Sequence, residues 1–334
     1  MIIMSNKCLY CYGELPEGNL SDYHPTCSLA FYGSLQAPIL TYSLSEMHEL
    51  AKEIVSNQIT VPGVQPKLLL IAETLQNENR KRLTVVGALG GHYIFKPPSD
   101  FYPEMPENEH LTMKIAAKLR IHTVPSSLIR LNSGELAYIT KRIDRTMDGH
   151  KIHMLDMFQI TEAVDKYKST MERIGKAISQ YSADMLLDQL RFFELTIFCY
   201  LTGNNDMHLK NFSMILSNGN WVLAQAYDLL NVHLANPKDK EELALSLEGK
   251  KRKLSRVHFE RFGANLGLNE KQIQGVFKRF EISKSEIKQL ISLSFLKEES
   301  KSNYWNIMEK KLKPLIFNTN HTIGFFETYP IIRS

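Results

Sequence analysis

The stretch Gly203-Asn-Asn-Asp-Met-His-Leu-Lys-Asn-Phe212, followed by Tyr227-Asp228, decides how this chain is interpreted. It holds a carboxylate at Asp206, an amide at Asn211 and a second carboxylate at Asp228. Residues 212–216 and 221–226 are predicted as two short strands, because Ser-Asn-Gly-Asn between them is a hairpin turn signal. We therefore expect the hairpin to bring Asp228 back beside Asn211.

These side chains suit phosphoryl transfer. Mg²⁺ prefers one or two protein oxygens together with water and substrate phosphates, and Asn211 and Asp228 supply two such oxygens. Asp206 is then placed to orient an attacking hydroxyl or to accept its proton. This order is typical of the catalytic and metal-binding loops of a kinase. The alternative is structural, since Asn-Asn-Asp is common in turns and a Tyr-Asp pair can cap a helix.

The overall composition is that of a globular protein. Of 334 residues, 43% are hydrophobic and 23% are charged, which is ordinary for a soluble domain. Because the chain has 40 basic and 36 acidic residues, its net charge is too small to predict direct nucleic-acid binding. The longest apolar run, over 192–201, is about half a bilayer span, and no cleavable signal peptide is visible. We therefore expect a cytoplasmic protein without a membrane partner.

Three of the four cysteines lie near the start of the chain. They form the pattern Cys8-x-x-Cys11 followed by His24-x-x-Cys27, which is the ligand spacing of a small zinc knuckle. The sequence leaves two interpretations open, a structural zinc site and a buried metal-free patch. The aromatic residues of the same segment are expected to pack as core. Cys199 lies in an apolar helical pattern and is interpreted as a small core residue.

The pattern of elements changes along the chain. A turn-rich head over 1–40 is followed by a helix over 43–55 and by strands over 68–72, 83–86, 92–96, 127–131 and 136–143. Beyond about residue 145 the pattern is mainly helical. We predict an α+β, two-lobed, protein-kinase-like fold with a small β-rich N-lobe over 41–143 and a larger α-helical C-lobe over 144–334. Nucleotides commonly bind in the cleft between two such lobes.

Two basic residues are candidates for neutralising phosphates. Lys96 ends an apolar strand, from which its ammonium group can reach the phosphates, although a lysine at a strand end is more often exposed. Glu109 either pairs with Lys96 or, in the interpretation we favour from sequence, stabilises the first turn of the next helix through its dipole. The loop Pro62-Gly-Val-Gln-Pro-Lys67 supplies a glycine and Lys67, but it matches neither a Walker loop nor the usual kinase glycine-rich loop.

The chain resembles the HipA family of serine/threonine kinases, which are the toxins of bacterial toxin–antitoxin modules. The resemblance covers about residues 58–250. It rests on these segments in this order: Val64-Gln-Pro-Lys67, Ile94-Phe-Lys96, Glu107-Asn-Glu109, Lys141-Arg-Ile-Asp-Arg145, Gly203 to Asn211, Tyr227-Asp228 and Leu243-Ala-Leu-Ser-Leu-Glu-Gly-Lys250. Four features look most similar to the HipT branch of the three-component HipBST system: the short N-terminus, Gln65-Pro-Lys67, Asp165-Lys-Tyr-Lys168 and Gly203-Asn-Asn-Asp-Met-His208.

The resemblance implies roles for individual residues. Asp206 is the catalytic aspartate, with His208 and Lys210 near the phosphates, and Asn211 and Asp228 bind Mg²⁺. The residues implied in ATP binding are Gly63, Val64, Gln65, Lys67, Lys96, Lys141, Arg142 and Ile143. Of these, residues 141–143 touch adenine through backbone groups. Thr60 matches a serine whose autophosphorylation ejects the loop, while a second serine of the HipT branch is replaced here by Pro62.

The resemblance also implies partners and a target. Family members phosphorylate aminoacyl-tRNA synthetases, so we expect a protein substrate of that class, ATP and Mg²⁺ as cofactors, and cognate antitoxins of the HipB and HipS type. The head is shorter than the N-terminal subdomain of HipA proper, so antitoxin docking is expected to differ. Two alternatives stay open, a small-molecule phosphotransferase with a kinase-like fold and an ATP-binding pseudokinase scaffold.

Overall fold

The computed structural model describes residues 6–18, 21–56, 67–74, 81–86, 90–146 and 148–316 of the chain. The sequence-predicted residues Thr60, Gly63, Val64 and Gln65 lie outside these ranges. Within them, the N-terminal lobe contains one five-stranded sheet and three helices. These are α1 (Pro25–Tyr32), α2 (Leu44–Ser56), β1 (Leu68–Thr74), β2 (Lys81–Val86), β3 (Tyr93–Lys96), α3 (Met105–Lys118), β4 (Ser126–Arg130) and β5 (Leu136–Lys141).

The C-terminal lobe is mainly helical. Its elements are β6 (Met154–Asp156), α4 (Met157–Ile160), α5 (Met171–Tyr181), α6 (Met185–Thr202), β7 (Ser213–Ser217), β8 (Asn220–Leu223), α7 (Val232–Ala235), α8 (Arg256–Asn265), α9 (Glu270–Ile282), α10 (Lys284–Leu293) and α11 (Glu298–Ile316). Each strand predicted from the sequence is present, with its ends shifted by a few residues. The α+β class and the small-lobe, large-lobe order are as predicted.

The N-lobe sheet is antiparallel, with strand order β2-β1-β3-β5-β4. Lys96 on β3 lies opposite Tyr138 on β5, whereas Tyr93 lies opposite Lys141. Because side chains alternate across a strand, Lys96 and Lys141 point to opposite faces of the sheet. Helix α3 packs on β4 and β5, so this sheet positions the first half of the site.

The head segment, described over residues 6–18 and 21–33, packs as core against the N-lobe, as expected from its aromatic residues. Phe31 is fully buried, and its ring centroid lies 5.9 Å from that of Tyr93 on β3. Tyr23 donates a hydrogen bond of 2.6 Å to the carbonyl oxygen of Leu128 on β4. The Cys8-to-Cys27 segment is therefore part of the N-lobe rather than a separate appendage.

Helix α6 is the central element of the C-lobe. Its part from Phe192 to Thr202 is mostly apolar and buried, as expected for a helix enclosed by others, and its one charged residue, Glu194, is paired with Arg279. The helix ends at Gly203, which adopts a left-handed conformation with φ of 69°, and Asn204 N–H donates to the carbonyl oxygen of Cys199 at 2.8 Å. This cap turns the chain directly into the loop that carries Asp206.

Among the described residues, no helix is both long enough and apolar enough to cross a bilayer.

Candidate active site

The hairpin predicted after Asn211 is present and brings Asp228 back to the loop. Asn218 and Gly219, at its tip, both have positive φ angles of 49° and 80°, which is the type I′ turn that Asn-Gly favours. Beyond β8, the hydroxyl of Tyr227 contacts Ser213 Oγ at 2.6 Å and donates to the carbonyl oxygen of Lys210 at 3.1 Å. These two contacts fasten the residue before Asp228 beside the end of the 203–211 loop.

Asp228 has a backbone conformation that non-glycine residues rarely adopt, with φ of 57°. Such a conformation persists where surrounding contacts determine it, and it is concentrated at functional sites. Here the contacts come from the N-lobe: Lys67 Nζ lies 2.9 Å from Asp228 Oδ2, and Lys96 Nζ makes a short ion pair with Oδ1. Burial alone would raise the pKa of Asp228, but the two lysines hold it well below its usual range.

Lys96 connects the two lobes. Its ammonium group contacts Glu109 Oε1 on α3 at 2.6 Å and Asp228 in the C-lobe, and it lies 5.3 Å from the ring centroid of Tyr138. Its side chain is only 6% exposed and that of Glu109 only 3%. Burial would lower the pKa of Lys96, but the two carboxylates raise it, so the lysine is charged.

Glu109 therefore takes the pairing role rather than the helix-dipole role that the sequence favoured. Helix α3 begins at Met105, so its first-turn acid is Glu107, and Glu109 lies two residues further along, on the buried face. A sequence argument about the first turn could not distinguish the two glutamates, because it depended on where the helix starts.

The loop between α6 and β7 holds the proposed catalytic residues. Asn211 Nδ2 donates to the carbonyl oxygen of Asp206 at 3.1 Å, and His208 N–H donates to the same oxygen at 2.8 Å. These bonds fix the backbone of Asp206. His208 is buried, which lowers its pKa, and Lys210 is exposed, with its Nζ 4.9 Å from the ring centroid of Phe158.

Three residues that contribute to the site were not recognised from the sequence. Tyr167 donates a hydrogen bond of 2.8 Å from its hydroxyl to Asp206 Oδ1. Asn108 on α3 and Asn231 exchange two hydrogen bonds of 2.9 Å, from Asn108 Nδ2 to the Asn231 carbonyl and from Asn231 N–H to Asn108 Oδ1. Tyr167 lies inside the Asp165-to-Lys168 segment quoted for the HipT branch, which gave a weak signal, but no local pattern joins Asn108 and Asn231, 123 positions apart.

The three residues predicted to contact adenine lie at the end of β5. The backbone N–H groups of Lys141 and Arg142 donate to the carbonyl oxygens of Pro125 at 3.1 Å and His92 at 2.8 Å. The Lys141 ammonium lies 5.8 Å from the ring centroid of Phe31, on the sheet face that the head covers, and Arg142 binds Asp144. The structure thus groups Lys67, Lys96, Asp228 and the 203–211 loop, but not the side chain of Lys141, around one point.

The sequence of this chain is similar to a known family and to several known proteins. Residues 59–286 match a family model described as the HipA-like C-terminal domain. A putative kinase from Haemophilus influenzae is 30% identical over 270 residues, which cover 71% of this chain and 76% of the relative. A putative kinase from Sinorhizobium fredii is 31% identical over 200 residues, covering 55% of this chain and 48% of that relative, so the match spans about half of its length.

Two solved structures share the fold. The HipA toxin of Shewanella oneidensis, solved with HipB and its operator DNA, matches with a TM-score of 0.64 and 18% identity over 90% of this chain and 74% of that chain. The proinflammatory kinase CtkA of Helicobacter pylori matches with a TM-score of 0.50 and 15% identity over 73% of this chain and 90% of that chain. The predicted two-lobed, kinase-like fold is thereby confirmed, and the chain belongs to the family defined by the HipA-like C-terminal domain.

Proposed function

We propose that this chain is an ATP- and Mg²⁺-dependent serine/threonine protein kinase and the toxin of a cytoplasmic toxin–antitoxin module. The observation that carries the proposal is Lys96, a buried cation held between Glu109 on α3 and Asp228 in the C-lobe. A lysine held in this way presents one ammonium group at the seam between the lobes, where a nucleotide phosphate can replace Asp228 as its partner. Family membership supports the same class of reaction.

The residues present fit a magnesium ion. Asn211 and Asp228 are oxygen donors on adjoining loops, and the two lysines on Asp228 show that this carboxylate attracts cations. When bound there, Mg²⁺ would neutralise charge on the phosphates and orient the terminal phosphoryl group. Lys67 and Lys96 would then turn to phosphate oxygens, and Asp206 would accept the proton of the substrate hydroxyl. Catalysis would depend on positioning and charge neutralisation.

The chain is further proposed to divide into a head over 1–40, an N-lobe over 41–143 and a C-lobe over 144–334. We place it in the HipT branch on the sequence segments quoted for that branch, and we propose HipB- and HipS-type antitoxins as its partners. The HipB part of that proposal is supported by the Shewanella HipA, which was solved with HipB. Its proposed substrate is an aminoacyl-tRNA synthetase. Gly63, Val64, Gln65 and residues 141–143 are proposed to bind ATP, and Thr60 is proposed as the autophosphorylated residue.

The test is phosphate transfer by purified protein, after phosphatase treatment and phosphatase removal. The wild type, Asp206→Asn, Asp228→Asn and Asp148→Asn would be incubated with Mg²⁺ and ATP and followed by intact mass. Asp148 is an exposed acid outside the site and serves as the matched control. We expect a mass gain of one phosphate in the wild type and in Asp148→Asn, and a rate about 100- to 10,000-fold lower in Asp206→Asn.

Asp206→Asn should still show stabilisation by ATP in a thermal unfolding assay, because Asp206 is not proposed to hold the nucleotide. Peptide mapping then assigns the phosphate, with Thr60→Ala as the variant that should lose it. ATP binding without transfer to the protein or to a synthetase would contradict the kinase proposal. Transfer to a metabolite alone would contradict the protein-kinase assignment.

A further inference from the structure

The head brings four metal-ligating side chains to one point. Cys8, Cys11, His24 and Cys27 each direct one ligand atom inward, and these atoms all lie within 4.8 Å of one another. The loop from Cys8 to Gly13 is closed by two backbone hydrogen bonds, Tyr12 N–H to the Cys8 carbonyl at 2.9 Å and Cys8 N–H to the Gly13 carbonyl at 2.8 Å. His24 and Cys27 come from the start of α1.

The distances fit a tetrahedral metal site. His24 Nδ1 lies 3.4 Å from Cys11 Sγ and 3.7 Å from Cys27 Sγ. With zinc–sulfur bonds of about 2.3 Å and zinc–nitrogen bonds of about 2.0 Å, a tetrahedron separates sulfur and nitrogen ligands by about 3.5 Å. The observed pairs bracket that value, so an ion could be accommodated with only small movements of the side chains.

Hydrogen bonds around the four side chains favour the protonation states in which they can bind a metal. His24 Nε2 lies 2.8 Å from the carbonyl oxygen of Glu14, which can only accept, so Nε2 carries the proton and Nδ1 keeps a lone pair for a metal. The Gly13 N–H donates to Cys11 Sγ at 3.4 Å, which favours a thiolate. All three cysteines are present as free thiols rather than disulfides.

We propose that Cys8, Cys11, His24 and Cys27 bind one structural zinc ion, which fixes residues 6–33 to β4 and α3 of the N-lobe. Four protein ligands close the coordination shell, as in structural rather than catalytic zinc sites. The segment shares its core with the N-lobe, and a bound metal would add free energy to that packing.

The head that carries these four side chains contacts two elements of the N-lobe, the edge strand β4 and helix α3. On β4, Leu128 N–H donates to the Leu9 carbonyl oxygen at 3.3 Å, and Arg130 pairs with Asp22 at 3.2 Å. On α3, Tyr12 Oη and His110 Nδ1 share a hydrogen bond of 2.9 Å. The Lys114 ammonium, also on α3, lies 4.5 Å from the ring centroid of Tyr10.

Helix α3 also carries Glu109, the partner of Lys96. Loss of zinc should therefore loosen the helix that positions this lysine and weaken ATP binding. This last consequence rests on the proposed kinase function, whereas the zinc site itself does not. Metal content and nucleotide binding are accordingly measured separately, so that failure of one leaves the other interpretable.

The test is metal analysis of the full chain, purified under reducing conditions with zinc in the growth medium and without chelator. We expect close to one zinc per chain in the wild type. Cys11→Ser and Cys27→Ser should each bind zinc at least about 100-fold more weakly, because loss of a ligand exceeds the usual effect of an outer-shell change. His24→Cys should retain zinc, since four cysteines also form such sites.

The matched control is Cys199→Ala, which removes the buried thiol of α6 outside the cluster and should retain zinc. Cobalt substitution provides a second readout. Wild-type protein should show tetrahedral ligand-field bands and thiolate charge transfer, and the spectrum should change in His24→Cys. Wild-type protein without metal, iron in place of zinc, or undiminished zinc in both serine variants would each overturn the proposal.

Discussion

The hydroxyl of Tyr167 donates a hydrogen bond of 2.8 Å to Oδ1 of Asp206. Its ring also contacts the ring of His208 edge-on, with centroids 5.0 Å apart. Burial, and then the hydrogen bond to Asp206, raise the pKa of Tyr167, so the phenol remains a donor at neutral pH. It therefore occupies one of the two carboxylate oxygens of Asp206, the proposed acceptor of the substrate proton, and would compete there with a substrate hydroxyl.

From this contact we predict that Tyr167→Phe increases the rate of phosphate transfer by a few-fold, up to about tenfold. A hydrogen bond to a charged group contributes about 1.5–3 kcal/mol, and the exposure of Tyr167 reduces that value here. The rate constant would be measured at saturating ATP with varied protein substrate. Phenylalanine keeps the ring contact with His208, so Tyr167→Ala serves to separate packing from hydrogen bonding. An unchanged or lower rate in Tyr167→Phe would show that the phenol does not compete.

The Lys96 ion pairs lead to a prediction about stability. Lys96→Met would leave Glu109 and Asp228 facing each other without their shared cation, and the free energy of unfolding should fall by about 3–5 kcal/mol. Urea unfolding at neutral pH measures this change. ATP binding should be lost in the same variant.

A second variant tests the cause of the lower stability of Lys96→Met. Lys96→Met combined with Glu109→Leu removes both members of the ion pair between β3 and α3, so it should be more stable than Lys96→Met alone. Equal stability of the single and double variants would mean that the buried carboxylate of Glu109 is not the source of the loss.

The buried histidine on α3 predicts a pH dependence of stability. Burial lowers the pKa of His110 well below its ordinary value, and the charge of Lys114 lowers it further. The native histidine therefore stays neutral where the unfolded one, with a pKa of about 6.5, binds a proton. Since the unfolded state then holds more protons, stability falls as the pH decreases below about 6.5, by up to about 1.4 kcal/mol per pH unit.

The measurement is urea unfolding of the wild type and of His110→Gln between about pH 7 and pH 5. Glutamine retains a polar partner for Tyr12 but does not titrate, so its stability should fall less steeply. Other buried histidines, such as His208, are common to both proteins and cancel in the comparison. Parallel curves for the two proteins would exclude His110 as the source of the pH effect.

The glycine at the end of α6 predicts a local effect on the loop that carries Asp206. A Cβ on Gly203 would meet His233 Nδ1 at 3.1 Å and Asn231 Oδ1 at 3.2 Å, and its φ is 69°. Gly203→Ala should lower the free energy of unfolding by about 1–2 kcal/mol from the backbone alone, with a further loss from crowding. Gly219→Ala is the matched control, because Gly219 has φ of 80° but no neighbour within 4 Å of a Cβ. Equal losses of unfolding free energy in the two variants would show that Asn231 and His233 move away from the added methyl group at no cost.

Local patterns explain why much of the fold could be predicted. The Asn-Gly dipeptide at 218–219 requires positive φ angles that only a few residues adopt readily, so the hairpin and its return toward Asn211 follow from short-range chemistry. The apolar run of α6 and its terminal Gly203 likewise predict a buried helix and its end. The change from strands to helices near residue 145 follows from the same kind of periodicity.

The sequence by itself determined the order of elements, the spacing of the proposed catalytic and Mg²⁺-binding residues, and the spacing of the four proposed zinc ligands within a stretch of 20 residues. Tertiary structure decided which side chains meet across longer distances. Glu109 pairs with Lys96, Asp228 closes on the same lysine 132 positions away, and Tyr167 reaches Asp206. The reason is physical: hydrogen bonding and periodicity act over a few residues, whereas contacts between lobes depend on how whole helices and sheets pack, which no local pattern encodes.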